Sequence, residues 1–253
     1  MTIAERHRYI LDQLEGKGFA KVSDLSEALG VSVVTIRKDL KELESRGLLY
    51  RSHGSASSRE LYAKDRSVSE KESFFAEEKN RIGKAAAGIL EAQEAIIIGS
   101  GTTALALARS LPTDLPLTVL TAAMNVSLAL LEHEKIEVVQ LGGILRKSSA
   151  SVVGPYAEEM MRSFACTRLF LGVDGISPDF GLTTSHAMEA HLNRQMMQAA
   201  EQTIVLTDAS KFGRKGFGKI CDLEDVDLVI TDQATPAELV AEMEERGVEV
   251  KVV

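Results

Sequence analysis

Five short polar clusters stand out in the C-terminal part of this chain: Gly99-Ser100-Gly101-Thr102-Thr103, Leu141-Gly142-Gly143, Leu171-Gly172-Val173-Asp174-Gly175, Gly181-Leu182-Thr183-Thr184 and Thr207-Asp208-Ala209-Ser210-Lys211. Four of them close or follow an apolar run, and the fourth in order leads into the segment holding Glu189. Glycines let a backbone approach a ligand, and free N–H groups at the start of a helix favour an anion. The clusters together offer backbone donors, hydroxyls, one ammonium and carboxylates. A phosphorylated polyol requires that mixture, with donors and a cation for phosphate and acids for sugar hydroxyls. Each cluster alone has a plainer reading. A Gly/Ser turn accounts equally well for 99–103, and turn or helix capping for Asp174 and Asp208. Their number is the stronger argument.

A second set of residues lies near the N-terminus. Residues 22–54 read as two short amphipathic helices, a tight turn and a basic ribbon. Val22, Leu25, Ala28 and Leu29 recur at helical spacing, with Ser23 placed as N-cap and Gly30 as the left-handed residue that ends the helix. Ser32 caps the next helix, where Ile36, Leu40 and Leu43 form an inward stripe. Thr35, Arg37, Lys38 and Lys41 then point outward, with Asp39 as the one acid among them. Short polar and cationic side chains suit base edges and phosphates. The pattern is a helix-turn-helix with Ser32, Thr35, Arg37, Lys38 and Lys41 facing double-stranded DNA. Leu48-Leu49-Tyr50-Arg51-Ser52-His53-Gly54 reads as a strand and turn, a wing from which Arg51 and His53 reach the backbone or minor groove. The bland alternative is a solvated helical hairpin; the short Gly-bearing turn, the basic outward face and the wing argue against it.

The elements that must hold these residues follow from periodicity. A first helix spans 2–16, and Phe19-Ala20-Lys21 can pair with the wing. The stretch after Gly54 is rich in Ser and mixed charge and reads as a linker, giving a head at 1–57, a linker at 58–75 and a body at 76–253. In the body, apolar runs at 95–98, 118–121, 137–141, 169–173, 203–207, 227–231 and 248–253 alternate with helical patterns, notably at 102–110, 124–133, 156–164, 186–201 and 236–246. That alternation predicts an α/β domain with a mostly parallel sheet covered on both faces, whose ligands bind at the carboxyl ends of strands.

Charge supports the division. The 253 residues carry net −8, yet residues 1–59 hold 10 basic and 8 acidic side chains, net +2, while 60–253 are net −10. A head of +2 steers weakly, so its positive field must be local to the recognition helix and wing. No apolar run reaches the length of a membrane span, and MTIAERHRYI is too polar for a signal peptide. Cys166 and Cys221 lack a metal-ligand spacing and read as buried thiols, so a cytoplasmic chain without a membrane partner is expected. Gly213-Arg214-Lys215-Gly216-Phe217-Gly218-Lys219-Ile220 has P-loop spacing but lacks the closing Ser or Thr and a feeding strand, and reads as a mobile basic loop. The five His show no metal pattern, and no cofactor is expected.

The ordered set SVVTIRKDLKEL, Gly47, Arg51-Ser52-His53-Gly54, GSGTT, LGG, FLGVDGI, GLTT and TDASKF resembles the DeoR-type bacterial transcription regulators over nearly the whole chain. The resemblance implies a winged helix-turn-helix head and a sugar-phosphate-sensing body similar in fold to ribose-5-phosphate isomerase. It further implies a homo-oligomer, dimer or tetramer, that represses sugar-catabolic genes and is released by a phosphorylated intermediate. By position Gly101, Thr102 and Thr103 would hold the phosphate, Asp174, Gly175 and Glu189 would line the sugar, and Lys211 would pair with the anionic end. Gly99, Ser100, Gly142, Gly143, Thr183 and Thr184 complete the expected ligand site. The competing reading is a sugar-phosphate isomerase using Asp174 or Glu189 as base; an attached DNA-binding head speaks against it.

Overall fold

Hydrophobic spacing shapes the head first. In a computed structural model that describes residues 1–17, 19–46, 48–52, 55–58 and 65–253, the chain divides into two compact units, Met1–Leu61 with Ala234–Pro236, and Tyr62–Gln233 with Ala237–Val253. The first unit runs α1 (Ile3–Lys17), β1 (Phe19–Lys21), α2 (Val22–Leu29), α3 (Val33–Ser45), β2 (Leu49–Ser52) and β3 (Ser55–Ser58). Ile10, Leu14, Leu25, Ile36, Leu40, Leu43 and Leu49 are fully buried together. Each such side chain contributes about 1.5–3 kcal/mol when removed from water. The three strands form an antiparallel sheet in the order β1-β3-β2, with Ala56 of β3 opposite Ala20 on one side and Arg51 on the other.

Gly30 ends α2 at φ 63°, and the Ser32 hydroxyl accepts from Thr35 N at 3.2 Å to cap α3. Ser23 is not a cap. The helix starts two residues earlier than a Ser23 cap would place it, with Lys21 in the capping position, and Ser23 Oγ bonds Asp24 instead. Asp39 also departs from expectation, because it turns inward. Its carboxylate takes Arg6 Nε at 2.6 Å and Arg6 Nη2 at 2.9 Å, with His7 Nε2 at 3.2 Å, which locks α1 to α3.

The second unit continues with α4 (Val68–Glu72), α5 (Ala76–Ala87), β4 (Ala95–Ile98), α6 (Thr102–Ser110), β5 (Leu117–Thr121), α7 (Met124–Leu130), β6 (Ile136–Gln140), β7 (Ile144–Arg146) and β8 (Ser151–Val153). It is completed by α8 (Pro155–Met161), β9 (Cys166–Gly172), β10 (Gly175–Ser177), β11 (Gly181–Thr184), α9 (Ala187–Gln198), β12 (Ala200–Leu206), β13 (Gly218–Cys221), β14 (Leu228–Thr231), α10 (Ala237–Glu245) and β15 (Glu249–Val252). Seven parallel strands lie in the order β15-β14-β12-β9-β4-β5-β6. One core, around Leu171, Val205 and Val229, covers one face, and another, around Ile96, Phe170 and Ile204, covers the other. The Val/Ile/Leu runs are continuous because both faces are buried. The chain winds outward from β4 through β5 to β6, then returns to β9 and winds the other way. Loops after β4 and β9 therefore diverge and leave a crevice between them, the place where open α/β sheets take ligands.

Smaller pieces decorate this sheet. β7 and β8 form a hairpin, and β10, β11 and β13 form a three-stranded sheet. The stretch expected to be a loose basic loop ends in β13, whose Gly218 stands opposite Thr184. Its residue Gly216 donates to Thr183 Oγ1 at 2.7 Å. The stretch whose composition reads as linker carries α4, opened by a capping box in which Ser67 and Glu70 bond each other's backbone N–H. Among the described residues no helix is long and apolar enough to cross a membrane.

Candidate functional site

The crevice between the β4 and β9 loops is a cleft open to solvent. Ser100, Gly101, Thr102 and Thr103 line it from the β4–α6 turn, Gly172, Val173 and Asp174 from the end of β9, and Lys211 from the loop after β12. Thr184 at the end of β11 and Glu189 on α9 close one wall. Arg146 and Ser149 enter from the β7–β8 hairpin, and Arg66, Val68 and Lys71 from α4 and the residue pair before it. Two glycines make this approach possible. Gly101 sits at φ 111° as the N-cap of α6, a backbone state that side chains disfavour. A Cβ on Gly172 would stand 2.8 Å from the Ser100 carbonyl oxygen and force the two loops apart.

The cleft is an ionic lattice. Asp174 accepts from Lys71 Nζ at 2.7 Å, from Ser185 N at 3.0 Å and from Thr184 Oγ1 at 3.2 Å. Burial pushes this carboxyl's pKa up, but the charges of Lys71 and Lys211 and the two N–H bonds outweigh it and hold Asp174 below the ordinary carboxylate range. Glu189 accepts from Ser100 Oγ at 2.6 Å and from Thr184 Oγ1 at 3.3 Å, with Arg146 Nη1 3.2 Å away. Arg66, Lys71, Arg146 and Lys211 thus line one cleft with Asp174 and Glu189, and Asp65 pairs with Arg146 Nη2 at 2.5 Å. Burial lowers the pKa of Lys211, and Asp208 and Asp174 offset part of that effect. Asp208 stands behind Lys211. Its Oδ1 accepts from Ser210 N at 3.0 Å, while its buried Oδ2 has no hydrogen-bond partner among the described residues.

Lys79, also buried, supports the α4 side of the cleft. Its Nζ donates to the backbone carbonyls of Lys71 at 2.7 Å and Phe74 at 2.5 Å, so an ammonium on α5 satisfies the C-terminal carbonyls of α4. Burial brings its pKa down to about 8, with the Asp208 charge opposing the fall.

Of the expected ligand residues, the fold brings Ser100, Gly101, Thr102, Thr103, Asp174, Thr184, Glu189 and Lys211 together. Gly99, Gly142, Gly143, Gly175 and Thr183 are placed elsewhere. Gly99 N bonds Phe170 O and ties β4 to β9. Gly142 and Gly143 are exposed before β7, and Gly143 packs against Val153 and Ala157. Thr183 Oγ1 donates to Gly175 O at 3.1 Å, so both serve the β10–β11 hairpin. Periodicity missed Arg66, Lys71, Lys79 and Arg146. Lys71 lies in a Ser-rich stretch whose local sign of order is the Ser67–Glu70 capping box, and Lys79 lies eight positions further on. Among the described residues no His, Cys, Asp and Glu cluster could hold a metal ion.

On the head, α3 presents Arg37, Lys38 and Lys41 to solvent, with Thr35 half-buried and bonded to Ser32. With Asp39 turned inward, the outward face from Ser32 to Lys41 carries no acid. Val34, 61% exposed, adds an apolar group of the size that meets a thymine methyl. Arg51 is fastened within the head. Its Nε bonds Glu44 Oε2 at 2.6 Å and its backbone N bonds Glu44 Oε1 at 2.9 Å, joining β2 to the end of α3. His53 lies outside the described residues.

Comparison with known proteins agrees with this geometry. The family model "DeoR-like helix-turn-helix domain" matches residues 6–61. "DeoR C terminal sensor domain" matches residues 75–233, more than half of the chain. An Escherichia coli O157:H7 protein named as an aga operon transcriptional repressor is 38% identical over 99% of this chain and 94% of its own length. The HTH-type transcriptional repressor GlcR of Bacillus subtilis (strain 168) is 33% identical over 98% of this chain and 95% of its own. Among solved structures, ribose 5-phosphate isomerase A from Methanocaldococcus jannaschii aligns over 55% of each chain at 17% identity with a TM-score of 0.41, too distant to support any functional inference. Both family matches and both relatives are regulators. The chain belongs to the DeoR family and is a DNA-binding transcription regulator, not an enzyme.

Proposed function

We propose that this regulator represses genes of sugar use and is controlled by a phosphorylated sugar bound in the body's cleft. The convergence of Lys71 and Lys211 with the hydroxyls and N–H groups at the start of α6 carries the reading. Those donors suit a phosphate, and Asp174 and Glu189 are placed to accept from sugar hydroxyls. The names of relatives support the class of target, since one refers to the aga operon and another to a lactose phosphotransferase system. Residues 1–57 act as the reading head and 76–253 as the sensing body, joined by 58–75. In the head, Ser32, Thr35, Arg37, Lys38 and Lys41 meet the major groove of an operator. Arg51 and His53 meet the backbone or minor groove, with Glu44 orienting Arg51.

The protein works as a cytoplasmic homo-oligomer, because two half-sites require two heads. Ligand in the cleft acts on Lys71, which stands in the joining segment yet reaches into the body's site. A saturating effector is therefore expected to change operator affinity.

The test has two arms. Thermal-shift screening of the purified chain with pentose and hexose phosphates is expected to give a rise in Tm that the unphosphorylated sugars do not. A mobility shift with DNA from the neighbouring promoter should then weaken when the hit is added. A Tm unmoved by every sugar phosphate would remove the effector, and operator binding indifferent to a saturating hit would remove the coupling.

A further inference from the structure

The body exposes an apolar face that the cleft does not use. Tyr156 is 75% exposed, Phe217 78%, Ile144 53%, Leu145 49% and Met188 36%. Leu145 alternates with Ile144 on β7 and points to the other face; the remaining four lie near one another. A Cβ on Gly154 would meet Met188 Cε at 3.0 Å and Ile144 Cδ1 at 3.3 Å, so these two side chains flank Gly154, with Tyr156 two residues on. On the other side of Met188, Gly218 lies against Ala187, where a Cβ would come within 3.3 Å of its Cα. Phe217 is held outward by its flanking glycines. A Cβ on Gly216 would stand 2.3 Å from Thr184 O, and one on Gly218 2.8 Å from Ala190 Cβ. Backbone pressed this tightly onto β11 and α9 leaves the ring no inward path. A contiguous patch with two exposed aromatic rings marks an interaction surface, unlike apolar residues scattered singly.

The charges around the patch are arranged in two flanks. Helix α9 lies between α8, which it meets through His191 Nε2 and Glu158 Oε2 at 3.2 Å, and β13, where Arg194 bonds Lys219 O. The α8 flank carries Glu158 and Glu159 against Arg162, which pairs with Glu159 at 3.0 Å, and is acidic on balance. The β13 flank carries Arg194, Lys215 and Lys219 against Asp222, which pairs with Lys219 at 2.5 Å, and is basic on balance; the two lysines stand 5.0 and 5.4 Å from the Phe180 ring.

We propose that this face receives a second copy of the chain about a two-fold axis running along α9. Rotation about that axis lays the acidic flank of each copy on the basic flank of the other, which is the self-complementarity an isologous interface needs. At about 150–250 Å² per aromatic side chain, the four exposed apolar groups of this face offer on the order of 400 Å². A stable interface takes about 800 Å² from each partner, and the charged flanks supply the remainder. An apolar centre with compensating flanks also answers the repulsion between two bodies of net −10. The face borders the cleft, since Ile144 shares β7 with Arg146 and Met188 precedes Glu189.

The proposal rests on the self-association put forward above, and sedimentation of the full chain separates the two. The wild type should sediment as a dimer or larger. Phe217→Ser and Tyr156→Ser should each weaken association by about tenfold or more, the least expected of an anchoring side chain, with circular dichroism and Tm preserved. Glu159→Lys and Lys215→Glu should each weaken it and together restore it, a result that holds even where the serine variants fold poorly. A wild type that is monomeric at micromolar concentration overturns self-association and this face together. Folded serine variants with undiminished association, or charge reversals without rescue, overturn this face alone.

Discussion

Lys71 Nζ donates to Asp174 Oδ1 at 2.7 Å, although the two residues stand 103 positions apart. One belongs to a five-residue helix ahead of the sensor match, the other to the end of the central strand β9. The pair ties α4, near the start of the second unit, to the floor of the cleft. A phosphate entering that cleft competes with Asp174 for the same ammonium.

Lys71→Met should lower affinity for a sugar phosphate by roughly 10- to 100-fold, as a charge-assisted bond worth about 1.5–3 kcal/mol predicts. Titration calorimetry with the strongest thermal-shift hit measures it. Unchanged affinity would show that Lys71 only braces the cleft wall.

Arg37→Ala should abolish operator binding in a mobility shift, with a loss of about 1–3 kcal/mol at the contacted base pair and no change in Tm. The side chain is exposed on α3, so its removal leaves the head's core untouched. Retained operator affinity would reject α3 as the recognition helix.

Asp39→Ala should act differently, by unfolding the head. Arg6 and His7 would lose their buried carboxylate, and stranding a buried charge costs about 3–5 kcal/mol. A urea titration should show an early transition absent from Arg37→Ala, while ligand binding by the body persists. The same carboxylate predicts acid sensitivity. Burial raises the Asp39 pKa, but Arg6 and His7 outweigh it and hold it below the ordinary 3.8. Its contribution is therefore full above that value and is lost as pH falls through the lowered one.

Lys79 predicts an effect of the same sign at alkaline pH. Its pKa is about 8 in the fold against an ordinary 10.5, so between those values the unfolded chain binds more protons than the native one. Stability contributed by this site rises with pH across that window, and Lys211, also lowered, adds to the rise. Urea midpoints compared at the two ends of the window should show a smaller rise in Lys79→Met than in wild type. An identical rise would mean that Lys79 keeps its ordinary pKa.

The amino-acid sequence by itself determined what depends on neighbours within a few turns. The stripe Ile36-Leu40-Leu43 defines the outward face of α3, and Gly30 and Ser32 define the turn before it, because helical spacing sorts side chains by face. The apolar runs likewise marked all seven parallel strands of the body, and hence the loops holding Ser100, Asp174 and Lys211. Tertiary structure decided which loops meet. The order β9-β4 at the centre of the sheet puts Gly172 against Ser100, and no local pattern reports which strands are neighbours. It made burial of Asp39 favourable: helical spacing from Ile36 puts this acid on the inward face, and Arg6 on another helix compensates its charge there. It left Gly142 and Gly143 outside the cleft and brought in Lys71 and Arg146, whose flexible stems reach from elements too short to show a period. Local spacing sets faces; the long-range pairing of strands and charges sets the site.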